Sequence, residues 1–311
     1  MHLNDADARN LYVGNLECAF SDDSVESGKA YTRILRSCCI CNVKGASFAA
    51  LSPANNHVYD AGIDAFMRMR SLLLSRCPGI QFFGTVETPY ADLVVNDLRV
   101  AIFGCLELCR NKGEQSFRQE DVLPLIKQTR DDFDLVYVFL HCGKEGEDTR
   151  RPSPAQCKLV RKWIDRGADG VFGCHSHMFQ GREIYKAKPI YYSLGNFEFD
   201  HPESQLYSGT DRGLVVEVDG NGQIREYVKP QNECIRSMRE EERTLLSEIS
   251  SPLSEWTIWN WAKSIGSFNI KKNTASWRIR LRKNFIKTLP KFLVWQLLPK
   301  TLLFRAAALF N

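Results

Sequence analysis

A chain of 311 residues, 44% hydrophobic and 25% charged, is long enough to bury a full core, and its ordinary composition excludes a fibrous or intrinsically disordered protein. The net charge of +4 hides an asymmetry: eleven lysines and arginines but no acidic residue follow Glu255, so removing them turns +4 into −7 for residues 1–255. An acidic body and a basic tail are expected. The eleven cysteines cannot all pair, being odd in number, and are too thinly spread for a disulfide scaffold. Cys105, Cys142 and Cys174 lie in apolar runs, where a free thiol behaves as a small hydrophobe, and a reducing compartment fits them. Cys38 and Cys41 form a C-x-x-C with no second pair at zinc-finger spacing. The opening residues carry no apolar signal-sequence core, and no run of about 20 apolar residues occurs. The expected location is cytoplasmic, with peripheral membrane attachment through the tail.

In chain order, 10–14 and 47–52 read as strands. Ile63, Phe66, Met67, Met69, Leu72 and Leu73 repeat at helical spacing across 59–75. Residues 80–83 and 99–104 are short strands, 119–130 is helical, and 134–140 is a buried strand running into His141. An amphipathic helix over 154–166 stops at Gly167. Residues 170–173 have the length and residue types of a buried strand, and they lead into Cys174, His175, Ser176 and His177. A further apolar run over 189–194 ends at Gly195, Asn196 and Phe197, and strands at 213–218 and 223–228 flank a glycine-rich turn. Strands alternating with helices predict an α/β core, with part of the sheet antiparallel near its end. The organisation is a main domain over 1–230, a charged, solvated linker helix over 231–255 around Arg239-Glu-Glu-Glu-Arg243, and a basic amphipathic segment over 256–311.

The polar residues of interest fall where strands end: Asn15 and Glu17, then Asn55, Asn56 and His57, then His141 with Glu145 behind it, then His175 and His177, then Asn196. Ligands of open α/β sheets bind beyond the carboxyl ends of the strands. Four of the six histidines sort to these ends, leaving only His2 and His201 elsewhere. Imidazole, carboxylate and amide together point to a metal-centred site and suit Mn, Zn or Fe better than Ca. His175 and His177 point the same way if the chain stays extended there, and so could serve one ion or two adjacent ions.

The ordered motifs G-N-L-E, A-N-N-H, L-H-x-G-x-E, G-x-H-x-H and Y-S-L-G-N-F, spanning about residues 8 to 200, resemble the bacterial CapA family of capsule-synthesis, or poly-gamma-glutamate biosynthesis, proteins. That family belongs to the calcineurin-like metallophosphoesterase superfamily. The resemblance implies a layered α/β/β/α fold and a metal-dependent phosphoester hydrolase acting in capsule, poly-gamma-glutamate or exopolysaccharide biosynthesis. Its substrate would be a phosphoester or anionic polymer. The other reading is a non-catalytic accessory protein of polymer assembly with a degenerate metal site. By the same resemblance Glu17 bridges two ions, and Asn56, His141 and His175 ligate one of them while His177 ligates the other. His57, beside Asn56, contacts the phosphate and protonates the leaving group. Family members carry a Gly-Asp motif ahead of the first strand read here, and Asp5 and Asp7 are poorly placed to replace its carboxylate. One divalent ion rather than two is therefore expected, through loss of the motif or because it lies upstream of the given sequence.

Smaller signals stay open between two readings. Asn15 and Glu145 either orient ligands or lie at the surface, and Asn196 either bonds the site or shapes a turn. Asp60 reads as the cap of the helix that follows. Cys142 and Cys174 each neighbour a histidine, but adjacent strand residues face opposite ways, so both thiols are expected in the core. The tail interleaves Trp277 and Trp295 with basic and apolar clusters. Over 277–310 it fits an anionic membrane interface, with docking onto the acidic body as the other reading and nucleic acid disfavoured.

Overall fold

A computed structural model of the chain describes residues 11–20, 34–35, 48–107, 119–143, 150–198, 209–231 and 233–250. Asp5, Asp7, Cys38, Cys41, Glu145, His201 and the tail 256–311 lie outside the described residues. The elements, in order, are β1 (Tyr12–Asn15), β2 (Ala19–Phe20), β3 (Ile34–Leu35), β4 (Phe48–Ser52), α1 (Ile63–Arg76), β5 (Gln81–Phe82), β6 (Tyr90–Val95), β7 (Leu98–Leu106), α2 (Gln119–Thr129), β8 (Leu135–His141), α3 (Pro154–Asp165), β9 (Gly170–Cys174), β10 (Arg182–Tyr185), β11 (Lys188–Tyr191), β12 (Arg212–Val218), β13 (Ile224–Pro230), β14 (Arg236–Ser237) and α4 (Glu240–Ser250).

The near-continuous apolar run of β7 has a simple cause: both of its faces are covered. Ala101, Phe103 and Cys105 look one way into a cluster with Val122 and Ile126 of α2 and Val160 and Trp163 of α3. Val100 and Ile102 look the other way, onto Ala50 of β4 and Phe83. On the far side of β4, Leu51 packs with Phe82 and with Phe66, Met69 and Leu73 of α1. The layers therefore run α1, small sheet, large sheet, α2 with α3. The small sheet is β1-β4-β5, all parallel, and the large one is β10-β11-β9-β8-β7-β6. The two sheets come closest at glycine, where a Cβ on Gly104 of β7 would meet the Gly84 Cα at 2.6 Å.

The large sheet differs from expectation in having antiparallel strands at both edges, β6 on β7 and β10 on β11. Each pair closes through two residues with positive φ: Asn96 and Asp97 in the first, Lys186 and Ala187 in the second. Asn-Asp is a readable turn signal. Lys-Ala is not, and nothing in the local sequence marks β10.

The helix around Arg239–Arg243, expected as a solvated linker, is docked. Leu246 and Ile249 of α4 are buried in a cluster with Leu214 of β12, Val228 of β13 and Phe179. No helix among the described residues is long and apolar enough to cross a membrane.

Glu242 anchors α4. Its carboxylate is 2% exposed and accepts from Arg236, Arg212 and the Arg239 backbone N–H at 2.8–2.9 Å. The Arg236 guanidinium, opposed by burial and helped by the Arg239 amide, holds this carboxyl down from 4.5 to about 2. A depressed folded-state pKa contributes stability that is fully present above pH 4.5 and is lost as the pH falls through about 2. Glu242→Gln is expected to cost on the order of 3 kcal/mol at pH 7. Urea unfolding should show the gap from wild type closing between pH 4.5 and 2.

Candidate metal centre

Parallel pairing of β1 with β4 sets Asn15 beside Ser52, and the Leu16 N–H continues the pairing onto the Ser52 carbonyl. Both strands then end together, which brings Asn15–Glu17 against 53–57. Amides lock the two turns. Asn55 Nδ2 donates to the Leu16 carbonyl at 2.7 Å and to Asn15 Oδ1 at 3.2 Å; Asn15 Nδ2 donates to Glu17 Oε2 at 3.1 Å; and Asn55 Oδ1 accepts from the His57 N–H at 3.0 Å. Asn55 is 2% exposed and is the hub of this lattice. Its place in A-N-N-H carries no local signal of that role.

The large sheet supplies the opposing half. In the β8–β9 register His141 pairs with Cys174, so His175 follows one residue beyond. The two imidazoles meet edge to face with centroids 4.9 Å apart. Across the gap between sheets, His141 Nε2 lies 2.8 Å from Asn56 Oδ1 and 3.9 Å from Glu17 Oε1. Glu17, His141 and His175 each offer a ligand atom within 4.8 Å of the others. With Asn56 at van der Waals or hydrogen-bond range of His141, the set comprises one carboxylate, one amide oxygen and two imidazoles. Both histidines are buried, and these donor types fit a borderline divalent transition metal.

His177 is not one of the three residues whose ligand atoms gather within 4.8 Å. The chain does not stay extended after β9, because His175 has φ +102°, and the assumption that would have aimed both imidazoles alike fails there. His177 Nδ1 instead pairs with Asn196 Oδ1 at 2.9 Å, and Asn196 Nδ2 donates to the Thr210 carbonyl at 3.0 Å. Asn196 thus orients His177 and also sits at a turn beside Gly195 (φ +73°). Asn15 orients Glu17. Glu145 lies outside the described residues.

Asp60 does not cap a helix. Helix α1 begins at Ile63 with Gly62 as its N-cap, and Asp60 is buried with Oδ2 2.6 Å from His57 Nδ1. The readable signal was the i, i+3 spacing of a carboxylate and an imidazole at a strand's end. Both candidate thiols are buried, Cys142 accepting from Gln156 Nε2 at 3.5 Å and Cys174 lying 3.2 Å from His141 Nδ1. Burial, reinforced by Glu17, pushes the Cys174 thiol well above its usual range, against the thiolate a nucleophile needs.

Fold and site together define an α/β/β/α protein with a carboxylate–amide–imidazole cluster held between its two sheets. The chain belongs to the family described as bacterial capsule synthesis protein PGA_cap, whose model matches residues 2–201. It is similar to the capsule biosynthesis protein CapA of Bacillus anthracis, 33% identical over 175 residues that cover 51% of this chain and 42% of that protein. It is also similar to the PGA biosynthesis protein CapA of Bacillus subtilis, 26% identical over 201 residues covering 61% and 50%. The chain spans about half the length of these relatives. Among solved structures, a phosphatase of Mycoplasma pneumoniae aligns with a TM-score of 0.41 at 13% identity over 61% of this chain and 75% of that one.

Gly173 carries the geometry of His175, because a Cβ there would drive into the Tyr192 carbonyl on the neighbouring strand. Gly173→Ala is expected to destabilise the fold by about 2 kcal/mol and to displace His175. Denaturant unfolding combined with metal analysis of the purified variant should show both losses together.

Proposed function

We propose that the chain is a metal-dependent phosphoester hydrolase serving synthesis of a capsular polymer, either poly-gamma-glutamate or an exopolysaccharide, with a phosphoester or anionic polymer as substrate. The observation that carries this reading is the Glu17–Asn56–His141–His175 cluster with the buried His57–Asp60 pair on the next residue. The names of the Bacillus relatives support the biosynthetic setting.

One divalent ion (Mn, Zn or Fe) fits the four donors, and when bound it supplies positive charge for phosphoryl oxygens and lowers the pKa of a water. The residues do the remaining work. Glu17 is held in place by Asn15, and Asn15 by Asn55, so the carboxylate needs no rearrangement to ligate. His57 is the general acid: Asp60 keeps its Nδ1–H, and the proton delivered to the leaving oxygen sits on Nε2. His177 gives its Nδ1 to Asn196 Oδ1, and a partner of that kind leaves Nε2 as the nitrogen able to ligate. The ligand group among the described residues holds one carboxylate and two imidazoles, which favours one ion, and so small a donor set is also the observation behind the alternative of a non-catalytic accessory protein.

Purified protein loaded with Mn²⁺ should hydrolyse bis(p-nitrophenyl) phosphate or the corresponding monoester and lose that activity to a chelator. His175→Ala should lose metal and turnover together. His57→Ala should keep the metal while kcat falls roughly 10²–10⁴-fold. Metal-loaded wild-type protein without turnover on either ester would leave the accessory reading standing and sink the hydrolase.

The basic segment 277–310 is proposed to hold the chain at an anionic membrane surface. Cosedimentation with phosphatidylglycerol vesicles should be strong at low salt, weak at about 0.5 M salt, and lost when 277–310 is deleted. Equal binding to neutral vesicles would contradict it.

A further inference from the structure

The partner that His141 keeps on its far side is a thiol, and a thiol can do what the usual carboxylate or carbonyl behind a metal-binding imidazole cannot. Cys174 Sγ lies 3.2 Å from His141 Nδ1 and 3.6 Å from the Leu140 carbonyl, while His141 Nε2 lies 2.8 Å from Asn56 Oδ1. His141 and Cys174 are both buried. A carboxylate or carbonyl in the place of Sγ could only accept, fixing the proton on Nδ1 and leaving Nε2 and the Asn56 oxygen to face each other as two acceptors. A thiol both donates and accepts.

We propose that Cys174 is a positioning residue for His141 that reverses its hydrogen bond when the metal centre fills. Without an ion, S–H donates to Nδ1, and Nε2–H donates to Asn56 Oδ1, so that the ring is satisfied on both sides. With an ion, Nε2 and Asn56 Oδ1 both turn lone pairs inward. The ring proton then resides on Nδ1 and donates to Sγ, while S–H turns to the Leu140 carbonyl. The imidazole gives up one proton at Nε2 and regains one at Nδ1 through solvent, so ring and thiol stay neutral and no net proton is released. The thiol thereby stabilises the ligating ring orientation in both states.

This inference rests on the metal-site reading, and the experiment separates the two. Zn²⁺ and Mn²⁺ affinities are measured by chelator competition on the full chain for wild type, Cys174→Ala, Cys174→Ser and Cys142→Ser, with urea unfolding of each. Cys174→Ala should bind about 10–100-fold more weakly, the range for loss of a ligand's outer partner. Cys174→Ser, which keeps a donor and acceptor, and Cys142→Ser, whose side chain meets Gln156, should stay within about fivefold of wild type. Imidazole ¹⁵N spectra should place the His141 proton on Nε2 in metal-free protein and on Nδ1 after loading, and they decide the matter even if Cys174→Ala fails to fold. Undiminished affinity in Cys174→Ala, or a proton on Nδ1 in metal-free wild type, overturns the inference alone. A wild type that takes up neither ion overturns the metal site as well.

Discussion

The contact between His141 Nε2 and Asn56 Oδ1, 2.8 Å long, joins two sheets that share no strand, and the chemistry of the site follows from whatever holds those sheets at this spacing. Asn56 rides on the turn after β4 in the small sheet, and His141 is the last residue of β8 in the large one. Between them lies the packed layer of Ala50, Phe83, Val100, Ile102 and Phe139, with backbone meeting backbone at Gly84 and Gly104. Protein interiors are close-packed and resist compression, so a bulkier side chain anywhere in this layer would be felt as separation of the ligands. Residues that touch no ligand thus set the geometry of those that do.

Among the described residues, amides predominate around the cluster. Asn15, Asn55, Asn56 and Asn196 satisfy one another, the backbone and the ligands through neutral amides, and Glu17 is the single carboxylate of the ligand group. Burying amides that are fully hydrogen-bonded costs far less than burying additional charge. A divalent ion held by one carboxylate and neutral donors would leave the site net positive, the sign that draws phosphate and carboxylate groups. A second carboxylate, Asp60, bonds His57 Nδ1 at 2.6 Å on the residues that follow Asn56.

Much of this was legible in the sequence because strand ends announce themselves. Apolar runs that stop at Asn, Glu and His identified β1, β4, β8 and β9 and the residues beyond them; for β8 and β9, inside the large sheet, the cause is that a strand buried on both faces is apolar until it emerges. The alternation of strands and helices carried the α/β class in the same way. What stayed hidden depended on relations that no local pattern encodes. The β10–β11 edge turns on Lys186 and Ala187, whose positive φ values are imposed by the pairing rather than by residue preference. The chain leaves the extended conformation at His175 through a torsion that no residue preference announces. Asp60 looked like a cap because helix starts attract aspartate, and its real partner lay on the preceding side of the turn. The docked face of α4 was masked by three consecutive glutamates, of which Glu242 points inward to two arginines.

The φ of +102° at His175 is held by its surroundings rather than chosen by the residue. Gly173 packs without a Cβ against the Tyr192 backbone, and the His175 ring rests on His141. A non-glycine residue in that region costs about 1–3 kcal/mol. That strain is met by the folding of the whole sheet, before any ion arrives. A ligand already ordered loses little freedom on binding, so the centre resembles a socket more than a clasp. Its selectivity among metals should then come from a rigid spacing of donors, and a metal of the wrong size would have to distort the sheet to be accepted.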